Sequence, residues 1–353
     1  MKIDVIVSGI EPGGGITTFV IQFCKVLGDI HSLRLIVTHT KVNKEQIDYL
    51  KPLLKRGIKD ISKSHKLWRY IRLTTIWLND MPEYIINNYN AVGQYLLPLL
   101  TYKPKNIHIV HGITSDFKRI ALINKAYTTH WVVPSKRTAE LLNTGNKSID
   151  IDRITIIPHG VEDVSYKTVD KIKDRINLIY VGVLEEHKGV DVLPEVIKEL
   201  EKRGISYKFD IVGEGVLREN ISRRLVAEIA DDKVEFYGSI KHERVLEMFT
   251  YSDILVYPTR MDSFGLVITE AMMAGCVPIA GKITGVTDQI IDNARNGFTV
   301  PVQSEIIAEK ICQLAYNRDI LVKMAERARV KAKKQYSVSN MSDSYNKLLT
   351  HLL

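Results

Sequence analysis

The sequence predicts an α/β protein of two doubly wound, Rossmann-like parallel-sheet domains facing an inter-domain cleft. Three observations carry that expectation. Short apolar runs alternate with longer amphipathic stretches along most of the chain, the pattern of strands linked by crossover helices. A polar stretch with no strong apolar period interrupts the alternation, which then restarts. The chain has 353 residues, and at roughly 100–200 residues per domain that length suits two cores. The expected boundaries are an N-terminal domain over 1–163, a linker over 164–175, a second domain over 176–335, and a tail over 336–353.

In chain order, Ile3–Val7 reads as a strand that runs into Pro12-Gly13-Gly14-Gly15 and then a helix from Ile16 to Leu27. Leu33–Val37, Ile107–Val110, Trp131–Val133 and Ile154–Ile157 are further strand candidates, each stopped by polar or turn residues. After the linker come strands at Leu178–Val183, Phe209–Val212, Val234–Tyr237, Ile254–Tyr257 and Val277–Ile279. Leu193, Val196, Ile197 and Leu200 recur at three- and four-residue spacing, which predicts one buried helix face. Val245, Leu246 and Phe249 mark another helix.

Composition excludes several classes. Apolar residues make up 45% and charged residues 25%, ordinary for a globular protein and too apolar for a disordered one. No apolar run approaches the roughly 20 residues of a membrane span, and Met1-Lys2-Ile3-Asp4 lacks a leader-like layout. Cys24, Cys276 and Cys312 are far apart, so neither a zinc site nor a disulfide framework is expected, and a reducing cytoplasm fits. Charge is uneven. Residues 1–165 hold 22 basic and 14 acidic side chains, and residues 41–72 alone hold 10 and 3. That local excess points to an anionic partner.

Open α/β sheets bind ligands at the carboxyl ends of their strands, so the residues after each strand are the candidates. Gly13-Gly14-Gly15 permits close backbone approach ahead of a helix N-terminus, or is simply a turn. His111 can hydrogen-bond a ligand, or be satisfied by local backbone. Lys188 can neutralise a phosphate, or be a solvated surface lysine. Gly213-Glu214-Gly215 has Arg218 where a dinucleotide fingerprint needs its third glycine, which argues against a nicotinamide cofactor. Asp262-Ser263 can cap a helix beginning near Phe264, whose first amides, Phe264, Gly265 and Leu266, would then face a diphosphate. Glu270, further along, can accept from ribose hydroxyls or simply stabilise the helix N-terminal half. Asp150-Ile151-Asp152 reads as a loop with two solvated acids rather than a metal motif.

Taken together, VVPSKRTAEL (132–141), IIPHGVE (156–162), YVGVLEEHKG (180–189), FDIVGEG (209–215), VEFYGSIKHERV (234–245) and SFGLVITEAMMAGCVPIA (263–280) resemble retaining glycosyltransferase family 4, of GT-B architecture. The Gly-Gly loop and His111-Gly112 extend the resemblance over almost the whole chain, and the tail resembles a helix crossing back to the N-terminal domain. The resemblance implies a nucleotide-sugar donor, UDP- or GDP-linked, held mostly by the C-terminal domain. It implies an acceptor on the N-terminal side, no metal ion and no further cofactor. By position, Gly14 and Gly15 would approach the donor phosphate or sugar, and His111 would bond the sugar near the reacting carbon. Lys188 would hold the diphosphate and Glu270 the ribose, Phe264, Gly265 and Leu266 would offer backbone amides, and the loop Gly238-Ser239-Ile240 would contact the base through its backbone. Ser263 and Gly213 would also bind the donor. His111, Asp262 and Lys188 are the catalytic candidates.

Two positions depart from the family pattern. Asp262 opens an acid-x7-Glu270 spacing where the family often has glutamate, and Val183 stands where arginine is common. They sustain a rival reading, a non-catalytic nucleotide-sugar-binding scaffold. Arg260 and Lys282 are candidate replacements for the missing cation.

Residues 63–79 (KSHKLWRYIRLTTIWLN) predict a basic amphipathic helix with Leu67, Ile71, Thr74 and Leu78 near one face and Trp68 beside them. Within the basic region 41–79, such a helix fits either an anionic membrane surface, matching the lipid-linked acceptors of many relatives, or a core-packed helix with a solvated basic face. Nucleic acid is the least supported partner, because no binding signature accompanies the charge.

Overall fold

The computed structural model describes residues 1–10, 15–39, 44–144, 149–164 and 175–352. The chain divides into two units, Met1–Gly160 with Met341–Leu353, and Val161–Asn340. Of the expected linker, 165–174 lies outside the described residues.

Among the described residues the N-terminal unit has a seven-stranded sheet. Its strands are β1 (Lys2–Val7), β2 (Ser32–Val37), β3 (Ile58–Asp60), β4 (Tyr84–Asn88), β5 (Lys105–Ile109), β6 (His130–Val133) and β7 (Ile154–Ile156), in the order β3-β2-β1-β4-β5-β6-β7. The C-terminal unit has β8 (Ile176–Val181), β9 (Tyr207–Val212), β10 (Val234–Gly238), β11 (Ile254–Tyr257), β12 (Val277–Gly281) and β13 (Phe298–Val300), ordered β10-β9-β8-β11-β12-β13. Every ladder is parallel. All strands of a unit therefore end at one edge. The strand order reverses between β1 and β4 in the first unit and between β8 and β11 in the second, and at such a switch point the loops part and leave a crevice.

Apolar strands dominate both cores. Val5, Leu33, Leu35 and Ile86 pack with Phe19 and Phe23 of the helix Gly15–Gly28, and Tyr345, Leu348 and Leu349 from the end of the chain join the same cluster. In the second unit the predicted face Leu193, Val196, Ile197 and Leu200 is fully buried. All three cysteines are buried and free.

Three strands had no counterpart in the sequence reading, for identifiable reasons. β4 reads Tyr-Ile-Ile-Asn-Asn, and its two buried asparagines break the apolar run. β3 is an edge strand with exposed Lys59 and Asp60. β13 spans three residues only. The helix Lys66–Asn79 forms where expected, with the predicted apolar face turned outward rather than packed on the core. Leu73 and Trp77 are its buried residues, whereas Leu67, Trp68, Ile71 and Leu78 are exposed.

That helix is pinned by a polar network under the sheet. Asp4, fully buried on β1, accepts both arms of Arg34 from β2, at 3.0 and 2.7 Å, with Arg56 at 2.8 Å and the Trp77 indole at 3.0 Å. Asp80 caps the outer ends of both arginines. Burial raises the Asp4 carboxyl above its ordinary value even against these cations. On β5, His108 accepts from Gln94 at 3.1 Å, and burial pushes its imidazole down to about 3.

Trp68, Trp77 and Trp131 all lie in the N-terminal unit, so tryptophan emission reports its unfolding. Asp4→Ala leaves buried guanidinium groups short of a carboxylate and should destabilise this unit by about 3 kcal/mol in urea. Below about pH 6.5 the unfolded chain binds a proton that folded His108 refuses, so His108 makes stability fall with acidification. His108→Gln should flatten that slope in melts between about pH 7 and about pH 5.

Candidate functional site

The carboxyl edge of the C-terminal sheet collects most of the candidate residues. After β8 the chain makes a short turn, Glu186–Lys188, and ends it at Gly189 with φ +69°. A Cβ there would stand 1.8 Å from the Pro258 carbonyl, so only glycine lets this loop seat against the loop after β11. That seating carries Lys188 across the switch point. Its Nζ donates to Asp262 Oδ2 at 3.0 Å and to the Tyr257 hydroxyl oxygen at 3.0 Å.

Asp262 is the centre of the arrangement. Oδ2 also accepts from the Tyr257 hydroxyl at 2.7 Å. Oδ1 accepts from the backbone amides of Ser263, Phe264 and Gly265 at 2.8, 3.3 and 3.2 Å. Burial alone would raise this carboxyl. The Lys188 charge, the Tyr257 and Lys188 hydrogen bonds and the Phe264 amide outweigh it and hold Asp262 below the ordinary aspartate value. A carboxylate offers about four lone-pair positions, and five donors already converge on it. The oxygens of Asp262 are thus taken up by protein donors. The Phe264 and Gly265 amides, expected to face a phosphate, are likewise committed to it. Gly265 has φ +90° and precedes the helix Leu266–Met273, whose first internal acceptor takes Ile268. The amides of Leu266 and Val267 thus remain at the open helix end.

Glu270, on the same helix, is buried and accepts from His242 Nε2 at 2.8 Å. Burial opposes the charged form of His242, but the hydrogen bond and charge of Glu270, with Glu243 and Glu162 beyond, raise its pKa above the usual histidine value. Glu270 thereby has a fixed hydrogen-bond partner on another helix.

At the neighbouring strand ends, the Gly213 amide donates to the Gly238 carbonyl at 2.9 Å. A Cβ on Gly213 would lie 1.9 Å from the Gly182 carbonyl. Ser239 is exposed and Ile240 packs partly on the core. Glu214 pairs with Arg218. Val183 is exposed, and its carbonyl accepts from the Tyr180 hydroxyl at 2.8 Å. Arg260, a candidate for the missing cation, has both arms on Asp191 at 2.6 and 2.8 Å. Lys282 is exposed after β12.

In the N-terminal unit, Gly14 lies outside the described residues, and Gly15 begins its helix in open space. His111, two residues beyond β5, is buried. Its Nε2 meets Asn88 Oδ1 at 3.1 Å, its Nδ1 lies 3.5 Å from His159 Nε2, and its ring stands edge-on to Phe19 at 4.9 Å. Burial first, then His159 and His108, press its pKa well below the usual value, so the ring is neutral. Asp150 Oδ1 accepts the Asp152 amide at 3.2 Å, a local turn as expected. Among the described residues no group of three or more acidic, histidine or cysteine side chains is arranged to hold a metal ion.

Tyr257, His242 and Asn88 were not singled out from the sequence. Each acts through a partner on another element, 5, 28 and 23 residues away, and no spacing rule links them. His242 should titrate above about 6.5 by NMR, and Glu270→Gln should bring it down. Its pairing stabilises the fold below the unfolded pKa and loses that contribution as pH rises through the folded one.

Residues 165–335 match the family model for glycosyl transferases group 1. The alpha-D-kanosaminyltransferase of Streptomyces kanamyceticus is 29% identical over 173 residues, covering 49% of this chain and 45% of that one. The gpi3 subunit of the Schizosaccharomyces pombe phosphatidylinositol N-acetylglucosaminyltransferase is 24% identical over 156 residues, covering 44% and 34%. The chain spans less than half the length of these curated relatives. Anabaena HepE, solved in complex with UDP-glucose, matches over 99% of this chain and 100% of its own with a TM-score of 0.83 at 15% identity. The chain has the GT-B fold of the glycosyltransferases, and its C-terminal unit carries the sequence match to glycosyl transferases group 1.

Proposed function

We propose that the protein is a retaining, metal-independent glycosyltransferase of family 4. It moves a hexosyl group from a UDP- or GDP-linked donor to a hydroxyl of a glycan or lipid-linked acceptor, in the cytoplasm. The observation that carries this reading is the pairing at the carboxyl edge of the C-terminal sheet. Lys188 is held at the switch point by Asp262 and Tyr257, and Glu270 is held by His242. A cation and a carboxylate fixed on one crevice suit a nucleoside diphosphate, which offers phosphate oxygens to one and ribose hydroxyls to the other.

In this reading Lys188 and the Leu266 and Val267 amides meet the diphosphate, and Glu270 accepts from ribose. The backbone at Gly213, Gly238, Ser239 and Ile240 lines the base. Gly14, Gly15 and His111 serve the sugar. Asp262 is a positioning residue, because its oxygens are filled and its work is to hold Lys188 and the loop. In the transfer the bond from the anomeric carbon to the phosphate oxygen breaks, and the acceptor oxygen bonds the same carbon on the same face. The departing phosphate oxygen takes the acceptor proton. Negative charge grows on the leaving diphosphate, where fixed positive groups lower the barrier most.

The similarity to glycosyltransferases, and to a structure solved with UDP-glucose, supports this reading. HepE's complex makes UDP-glucose the first donor to test. Calorimetry and nucleoside diphosphate release, with EDTA present, should show one donor bound and turned over. Lys188→Ala and Glu270→Ala should each weaken donor binding by about ten- to a hundredfold, the scale of lost charge-assisted hydrogen bonds. Normal turnover by Glu270→Ala overturns the ribose assignment. Tight donor binding with no transfer to any acceptor favours the scaffold reading instead.

A further inference from the structure

The helix Lys66–Asn79 presents two apolar faces, and only one is used by the core. Leu73 and Trp77 are fully buried beneath it, with Tyr70 and Ile76 packed partly on the same cluster. On the other side Leu67 is 67% exposed, Trp68 59%, Ile71 47% and Leu78 72%. At 100° per residue these four side chains fall within about a 100° arc, with Trp68 opposite Trp77. Monomeric proteins scatter single exposed apolar residues, but a contiguous stripe of large ones marks a contact surface.

The charge around the stripe is one-sided. Residues 61–79 contain no acidic side chain. The flanking acids are engaged elsewhere, Asp60 with the Ser62 amide and Asp80 with Arg34, Arg56 and Lys2. Lys63, Lys66 and Arg72 are exposed, and among the described residues none has an ion-pair partner. Arg69 instead folds back onto the Ser62 and Ser64 carbonyls at 3.0 Å and fixes the helix start.

We propose that this outer face is a docking surface for an anionic lipid bilayer, with Leu67, Trp68, Ile71 and Leu78 entering the headgroup boundary and Lys63, Lys66 and Arg72 meeting lipid phosphates. Large apolar side chains on one arc, with exposed cations that have no ion-pair partner on and just before the same helix, have the chemistry of an interfacial helix. Free phosphate or nucleic acid would use the cations and leave four large apolar groups in water. A second copy of the chain would bring like charges together. The buried Trp77 and the Asp4 network anchor the helix, so the surface is preformed. The inference does not depend on the donor assignment.

Trp68 is the reporter, because the other two tryptophans are buried. The full chain is mixed with phosphatidylcholine vesicles and with vesicles that also contain phosphatidylglycerol, at low and high salt. Expected is cosedimentation with the phosphatidylglycerol vesicles only, a blue shift of emission with quenching by lipid-borne bromine, and release by salt. Leu67→Ser with Leu78→Ser should lower partitioning about tenfold or more, and so should Lys63→Gln with Lys66→Gln and Arg72→Gln. Both variants should keep the urea transition of the parent. No vesicle binding at low salt overturns the proposal. So does binding unchanged in both variants, a dimer by light scattering that Leu67→Ser with Leu78→Ser dissolves, or salt-sensitive binding to RNA without vesicle binding.

Discussion

A single carboxylate organises the crevice of the C-terminal unit. Asp262 gathers three backbone amides, a phenol and an ammonium group, and each bond fixes a different piece of the site. The amides set the path of the chain from β11 into the helix Leu266–Met273. The ammonium brings the loop after β8 across the switch point, where the parallel topology would otherwise send the two loops apart. Tyr257 closes the third side from the end of its own strand. Glu270 then follows at a helical distance from a loop that is already fixed. Its partner His242 comes from a second helix, so the Glu270 side chain is oriented by a group outside the crevice loops.

The two units solve opposite electrostatic problems. In the C-terminal unit a buried acid is kept ionised by neighbours that outweigh its desolvation. In the N-terminal unit burial holds His108 and His111 neutral, and Asp4 is raised despite two arginines. The first arrangement keeps charge where a charged ligand would need compensation. The second uses ion pairs as fasteners between β1, β2 and the helix Lys66–Asn79. Such pairs contribute little net stability against an apolar alternative, but removing one partner is costly.

Much of this was legible in the sequence, and the rest was hidden for physical reasons. The parallel α/β class and most strands followed from apolar runs between turns, because strands buried on both faces are apolar throughout. β4 escaped because buried asparagines satisfied by other side chains look polar in one dimension. Which apolar stripe of Lys66–Asn79 the core uses was not legible, because a helix with two such stripes gives a period but no direction. Lys188, Asp262 and Glu270 stand out as candidates by their places after β8 and β11. The partners of Asp262 were not legible, since Tyr257 and three amides converge on it only in the folded loop.

The floor of the C-terminal crevice is made of backbone against backbone. At Gly189 and Gly213 a carbonyl of a neighbouring loop occupies the place of any side chain. These contacts are backbone on both sides, so they depend on the glycines and not on the side chains around them. Val183, whose side chain is exposed, could be exchanged without touching that floor, whereas Asp262 could not, because its carboxylate holds the loops that border it. A side chain exposed above that floor can therefore change while the backbone beneath it keeps its shape.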